Sequence, residues 1–331
     1  MFRPVFALFL YSFTLASFSL NAFAAQDAWL ILQKAAFAAR ELNYQGVFIY
    51  QNGDQARSVQ ITHMNDGGRE FTRNMVIDNK LQVGQPREVF SQGNDIVIFH
   101  PKNDKVIIEK RRGQNLFPAM LPANLQSLKL SYAARVGMLD YVAGRQAQII
   151  ELIPKDAYRY SYKIWTDTEY GLLVKMTLLN DKTETLEQIA FQELSMLNSH
   201  DLNWFQPKID ASKNYVMEEA TLPNRVHTNW IIAELPPGYV KVDHIELTVS
   251  GKTSPINQLI FSDGIASVSL FIEPISKGMR PKMGHKLVGS TNICANVLDG
   301  YQVIVVGEVP LATVQQIAKA VSFKKQTASN R

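Results

Sequence analysis

Residues Tyr158–Thr166 read Tyr-Arg-Tyr-Ser-Tyr-Lys-Ile-Trp-Thr, and Leu172–Leu179 read Leu-Leu-Val-Lys-Met-Thr-Leu-Leu. Successive side chains of a β-strand point to opposite faces. The first stretch therefore sets Tyr158, Tyr160, Tyr162 and Ile164 on one face, and Arg159, Ser161, Lys163 and Trp165 on the other. The second aligns Leu172, Val174, Met176 and Leu178. Tyr141–Leu152 and Thr185–Leu194 flank them as further strands. Upstream, six runs have strand character: Tyr44–Gln51, Ala56–His63, Glu70–Val76, Glu88–Phe90, Asp95–His100 and Lys105–Lys110. Asn52-Gly53, Asp66-Gly67-Gly68 and Gln92-Gly93-Asn94 punctuate them as turns. About ten antiparallel strands at this spacing predict a strongly curved sheet or an open barrel. Trp29, Leu32, Ala36 and Phe37 recur at helical spacing within Asp27–Leu42. That helix has an apolar face, and the concave side of the sheet is the natural place to bury it. Pro118–Leu130, with two prolines, reads as an irregular or short helical excursion.

The chain has 331 residues; without residues 1–24, which read as removable, it sits at the top of what one hydrophobic core usually serves, so two domains are expected. Trp204–Pro223 lacks clear periodicity, which places a linker at 206–224 between a large domain, 25–205, and a smaller one, 225–322. Residues 323–331 form a tail. The smaller unit reads as α+β. Its expected strands are Val240–Val249, Ile256–Phe261, Ala266–Ile272, Lys286–Thr291 and Tyr301–Val306, followed by a helix over about Leu311–Val321 entered through Pro310. At the N-terminus, Arg3, an apolar run from Val5 to Leu20 and the small residues Ala22 and Ala24 make residues 1–24 a secretory signal peptide. Nothing downstream offers a stretch long and apolar enough to span a membrane, so the mature chain is expected to be soluble and periplasmic. Cys294 is then a lone thiol, most simply a small buried hydrophobe.

Composition is ordinary for a folded protein, with 46% apolar and 19% charged residues, which excludes disorder as the main theme. The net charge of +4 is too mild to argue for nucleic acid. None of the six histidines pairs at metal-ligand spacing, and no nucleophile elbow, phosphate loop or dinucleotide fingerprint occurs. No cofactor, no metal and no enzyme activity are expected.

Two features stand out. Aromatic side chains load the large domain. Most belong to the core, but a curved sheet with one short helix can leave part of its interior unfilled, and Phe48, Tyr50, Phe99, Tyr160 and Tyr162 are candidates to line a pocket for acyl chains or an apolar peptide. The second is charge. Residues 25–205 balance 20 basic against 20 acidic residues, whereas 206–331 carry 13 against 10. Within the latter, Lys277, Arg280, Lys282 and Lys286 lie in Pro274–Leu298, which holds no acid. Gly278, Pro281 and Gly284 mark that segment as a loop, either merely solvated or a docking patch for an anionic partner.

Several blocks then become recognisable. Trp29-Leu30 and Leu42-Asn43-Tyr44-Gln45-Gly46-Val47-Phe48 are followed by Gly84-Gln85-Pro86-Arg87-Glu88, Val142-Ala143-Gly144-Arg145 and Tyr158-Arg159-Tyr160. Leu235-Pro236-Pro237-Gly238, Phe261-Ser262-Asp263-Gly264 and Val305-Val306-Gly307-Glu308-Val309-Pro310 continue the series in the second domain. In this order they resemble the RseB/MucB family of periplasmic sigma-E regulators. The resemblance implies a mostly β, α+β fold: a large unclosed antiparallel barrel with helices across its mouth, like LolA and LolB, plus a smaller α+β C-terminal domain. It further implies binding to the periplasmic part of an RseA/MucA-type anti-sigma factor, protection of that factor from site-1 proteolysis, and release by lipopolysaccharide or a similar acyl amphiphile. A homo-oligomer is left open. A periplasmic lipid or lipoprotein carrier stands as the alternative, because the barrel alone would serve it.

Overall fold

The computed structural model describes residues 27–77, 87–100, 105–110, 115–199, 201–219, 230–247 and 254–323. The expected signal peptide, the C-terminal tail after residue 323 and residues 220–224 of the expected linker lie outside them. Among these residues one sheet holds β1 (Tyr44–Asn52), β2 (Gln55–Asp66), β3 (Arg69–Ile77), β4 (Glu88–Gln92), β5 (Asp95–His100), β6 (Lys105–Lys110), β7 (Tyr132–Val142), β8 (Arg145–Pro154), β9 (Ser161–Asp167), β10 (Leu173–Leu179), β11 (Thr185–Met196) and β12 (Val216–Glu219). Their order is β12-β6-β5-β4-β3-β2-β1-β11-β10-β9-β8-β7, which does not return on itself, so the barrel is unclosed. All neighbours are antiparallel except β12 on β6.

The expected apolar stripes of β9 and β10 are buried. In β9, Tyr162 and Ile164 are buried against the interior, and in β10 Val174, Met176 and Leu178 join them. Helix α1, residues 27–41, lies in the concavity. Its buried stripe is Ala28, Leu32, Ala35, Ala36 and Ala39, while Phe37 stays partly exposed. Small residues let the helix axis approach the sheet. Arg40 then donates to the carbonyls of Ala119 and Leu121, which ties the following segment over the barrel end. Gly46 marks another close approach: a Cβ there would meet the Glu193 carbonyl at 2.2 Å and the Phe191 ring at 3.0 Å.

Three expectations are corrected. The run Tyr141–Leu152 is not one strand: a turn at Ala143-Gly144, both at positive φ, divides it between β7 and β8. Most of β7 was not expected, because its Ala-Ala pair and Gly137 give no clean alternation. Residues 206–219 are not free linker. A 3-10 turn, Leu202–Phe205, and Tyr215 cover the convex back of the sheet, where Trp204 lies over Arg73 and Tyr215 packs on Phe99, and β12 then extends the sheet at its β6 edge. Finally, Lys286–Thr291 is not one strand: a turn at Gly289-Ser290 divides it between the end of one strand, Gly284–Val288, and the start of the next, Thr291–Leu298.

The smaller domain contains β13 (Trp230–Ile232), β14 (Val240–Leu247), β15 (Ile256–Ser262), β16 (Ser267–Pro274), β17 (Gly284–Val288), β18 (Thr291–Leu298), β19 (Tyr301–Gly307), helix α3 (Leu311–Ala320) and β20 (Val321–Phe323). Six strands form a sheet in the order β14-β15-β16-β19-β18-β17. A second short helix, α2 (Gln126–Ser131), belongs to the large domain and buries Leu128. Helix α3 covers one face of the smaller sheet with Val314, Ile317 and Ala318, against Leu270, Val303 and Val305. Cys294 is half-buried beside this core, and burial pushes its thiol pKa up.

Candidate functional site

The two domains are joined by a buried ion pair. Arg159 Nε donates to Asp263 Oδ2 at 2.8 Å, and neither side chain has any exposed surface. The remaining guanidinium nitrogens reach Asp156 and the Pro237 carbonyl. The guanidinium also stacks over the Tyr239 ring at 4.9 Å. On the other side, Asp263 Oδ1 accepts from the Ile265 and Ala266 amides, and Tyr132 donates to Oδ2 at 3.3 Å. This network explains two motifs. Pro237 supplies the carbonyl, and Gly238, at φ +79°, has no room for a Cβ, which would sit 2.8 Å from the guanidinium. Alternation had placed Arg159 on the face of Ser161 and Lys163, opposite Tyr160 and Tyr162. It precedes β9, so the strand's register does not govern it.

A second contact lies at the far side of the same interface. Asn52, ending β1, donates to Glu187 Oε1 at 2.8 Å and to Ser290 Oγ at 3.0 Å. Ser290, in the β17–β18 turn, donates to the same carboxylate. Tyr160 accepts from Asn292 Nδ2 at 3.2 Å.

Between these two joins is a cleft of about 600 Å³ walled by both domains. Met120, Tyr162, Met176 and Ile189 come from the large domain, Ile265 and Phe271 from the smaller. Two carboxylates face it, Glu187 and Glu308. Glu308 is open to the cleft but has protein on most sides. Enclosure, and then the like charge of Glu187, push its pKa up to about 7. The same enclosure raises the hydroxyl pKa of Tyr162 well above its ordinary range.

A second cavity, about 560 Å³, lies inside the barrel. Inward-facing residues of successive strands line it: Val59, Val76, Val89, Ile96 and Ile98, with Asn74, Arg87 and Glu109 as its polar members. Tyr50, Leu116, Phe117 and Ile189 belong to both cavities, so the two are contiguous.

Of the residues singled out from the sequence, Phe48 and Tyr50 line the barrel cavity and Tyr162 lines the cleft. Phe99 does not belong with them. It alternates with Ile98 and faces the convex side, packed with Phe90 and Val106. Tyr160 sits in the domain contact rather than in a cavity wall. Lys277, Arg280, Lys282 and Lys286 are exposed and border neither cavity, with Lys286 in β17 and the others in the loop before it. Sequence reasoning missed Asn52, Glu187, Ser290 and Glu308. Only Glu308 carried a signal, inside the Val305–Pro310 block.

Comparison with known proteins covers both domains. Models of the MucB/RseB N-terminal and C-terminal domains match residues 27–210 and 224–322. The sigma-E factor regulatory protein RseB of Escherichia coli (strain K12) is 25% identical over 307 residues, 92% of this chain and 94% of that one. The sigma factor AlgU regulatory protein MucB of Pseudomonas aeruginosa is 27% identical over 314 residues, 93% and 94% of the two chains. The complex structure of Pseudomonas aeruginosa MucA/MucB matches at a TM-score of 0.71 and 26% identity, over 91% of this chain and 100% of that one. A crystal structure of MucB in complex with MucA(peri) gives the same TM-score at 25% identity, over 90% of this chain and 100% of that one.

Proposed function

The chain belongs to the MucB/RseB family, and from that premise we propose that it is a periplasmic regulator that seats the periplasmic segment of a transmembrane anti-sigma factor in the cleft between its domains. The observation that carries this is the cleft itself, lined by apolar and polar side chains and built from both domains, in a chain alike over nearly its full length to a protein solved with MucA. A segment held there contacts both bodies at once, so its affinity depends on their relative orientation. Seated in the cleft, the segment is withheld from the site-1 protease, which restrains the sigma-E response.

Release follows from the contiguous cavity. An acyl amphiphile such as lipopolysaccharide enters the barrel between Val59, Val89 and Ile98 and displaces the shared wall of Tyr50, Leu116 and Phe117. Ligand in one cavity then costs affinity in the other, and the coupling is reciprocal. Both volumes fall in the range of small-molecule sites, ~300–1,000 Å³. The action is binding rather than catalysis. A carrier would account for the barrel cavity but not for the second domain that completes the cleft.

The test uses the mature chain, the anti-sigma periplasmic domain and the site-1 protease. The expected results are a stable complex, slowed cleavage, and loss of both on adding an acyl amphiphile. Unchanged cleavage in the presence of a saturating excess of the chain would overturn the reading.

A further inference from the structure

At the edge of the smaller sheet, every residue from Arg280 to Gly289 is exposed. The segment combines two kinds of side chain. Lys277, Arg280, Lys282 and Lys286 supply charge, and no acid lies between Pro274 and Leu298 to offset it. Met283, Leu287 and Val288 are 75%, 58% and 52% exposed, large apolar groups standing in water. None of the four cations forms an ion pair among the described residues.

The segment is built, not loose. The buried side chain of Gln302 accepts from the Lys282 amide at 2.6 Å and donates to the Lys282 carbonyl at 2.9 Å. A turn closed by Met279 N on Ser276 O at 3.0 Å precedes it, and β17 continues it as the last strand of the sheet. Lys286 and Val288 share one face of that strand, His285 and Leu287 the other. Because β17 is an edge strand, side chains on both its faces are exposed, as are those of Arg280–Met283 before it. Neither cavity reaches Lys277–Val288.

We propose that this edge is a membrane-contacting surface, whose partner is the anionic phospholipid face of a bilayer. Cations clustered without acids suit a sheet of negative headgroups, and a projecting blade of Met and Leu tips suits insertion at the headgroup boundary. Charge supplies the attraction and falls off within a Debye length, about 8–10 Å. The apolar tips supply depth. The inference does not rest on the anti-sigma reading and is tested without that partner.

The experiment is co-sedimentation of the mature chain with vesicles of phosphatidylethanolamine and phosphatidylglycerol, against vesicles of phosphatidylcholine. The chain is expected to bind the anionic vesicles, to be released by salt, and to ignore the neutral ones. The variant K277S/R280S/K282S/K286S should bind ~10-fold or more weakly. The variant M283S/L287S should also bind more weakly but keep its salt sensitivity. Both should melt as the wild type does, because the replaced groups are exposed. The proposal is overturned if the wild type fails to bind anionic vesicles at low salt, or if the fourfold variant binds them as the wild type does. It is equally overturned if the segment retains an acidic polypeptide such as polyglutamate but no vesicle, which would assign it to a protein partner.

Discussion

Arg159 is the residue on which the join between domains turns. Its charge is fully buried, and a buried charge is tolerable only when paired and hydrogen-bonded. Arg159→Ala leaves Asp263 buried without its cation and should lower stability by about 3–5 kcal/mol, read from urea unfolding. Arg159→Lys keeps the charge but cannot reach Asp263, Asp156 and Pro237 together, so it should recover only part of the loss. Gly238→Ala should mimic the loss without removing a charge, since its Cβ would collide with the guanidinium and with Ser131 Oγ, 2.6 Å away. Little of this was legible beforehand. Period-two alternation identifies inward positions only inside a strand, and Arg159 sits two residues before one. The carboxylate it needs is 104 positions away in the chain.

At the level of elements, what the sequence revealed was what a local period can carry. The apolar stripe Leu172, Val174, Met176 and Leu178 and the amphipathic α3 were legible. The convex cover of β3–β6 was not, because residues 202–219 contribute isolated aromatics with no repeat. Trp204, Phe205 and Tyr215 pack on Arg73, Phe71 and Phe99, respectively. A fragment ending at Phe205 loses Tyr215 and β12 and uncovers Phe99. It should be less stable than one ending at Glu219 by about 2 kcal/mol, the burial of one aromatic side chain. Thermal melts of the two fragments give the comparison, and equal melting would mean that 206–219 is only a tether.

For the whole molecule, the facing carboxylates make the domain contact sensitive to pH. Glu308 has its pKa pushed up to about 7 from an ordinary 4.5, and it faces Glu187, with Tyr50 and Tyr162 also on the cleft. A raised folded-state pKa means that the closed form takes up a proton. The contribution is therefore complete below about pH 4.5 and is lost as pH rises through about 7. Closure should strengthen on acidification from about pH 8 to about pH 5, and Glu308→Gln should remove that dependence. Melting across this range, with Glu308→Gln beside the wild type, decides it. No local sequence pattern announces such a pair, because Glu187 and Glu308 meet only once the domains have docked.

The claim that the cleft holds the anti-sigma segment is tested most directly by site-specific photocrosslinking. A photoreactive side chain is placed at Met120 or Phe271 in the cleft walls, and at Met138, which is 80% exposed on the free edge of β7. With the periplasmic domain of the anti-sigma factor bound, the two cleft positions should crosslink to it and Met138 should not. Crosslinks from Met138 with none from Met120 or Phe271 would place the partner elsewhere and contradict the account.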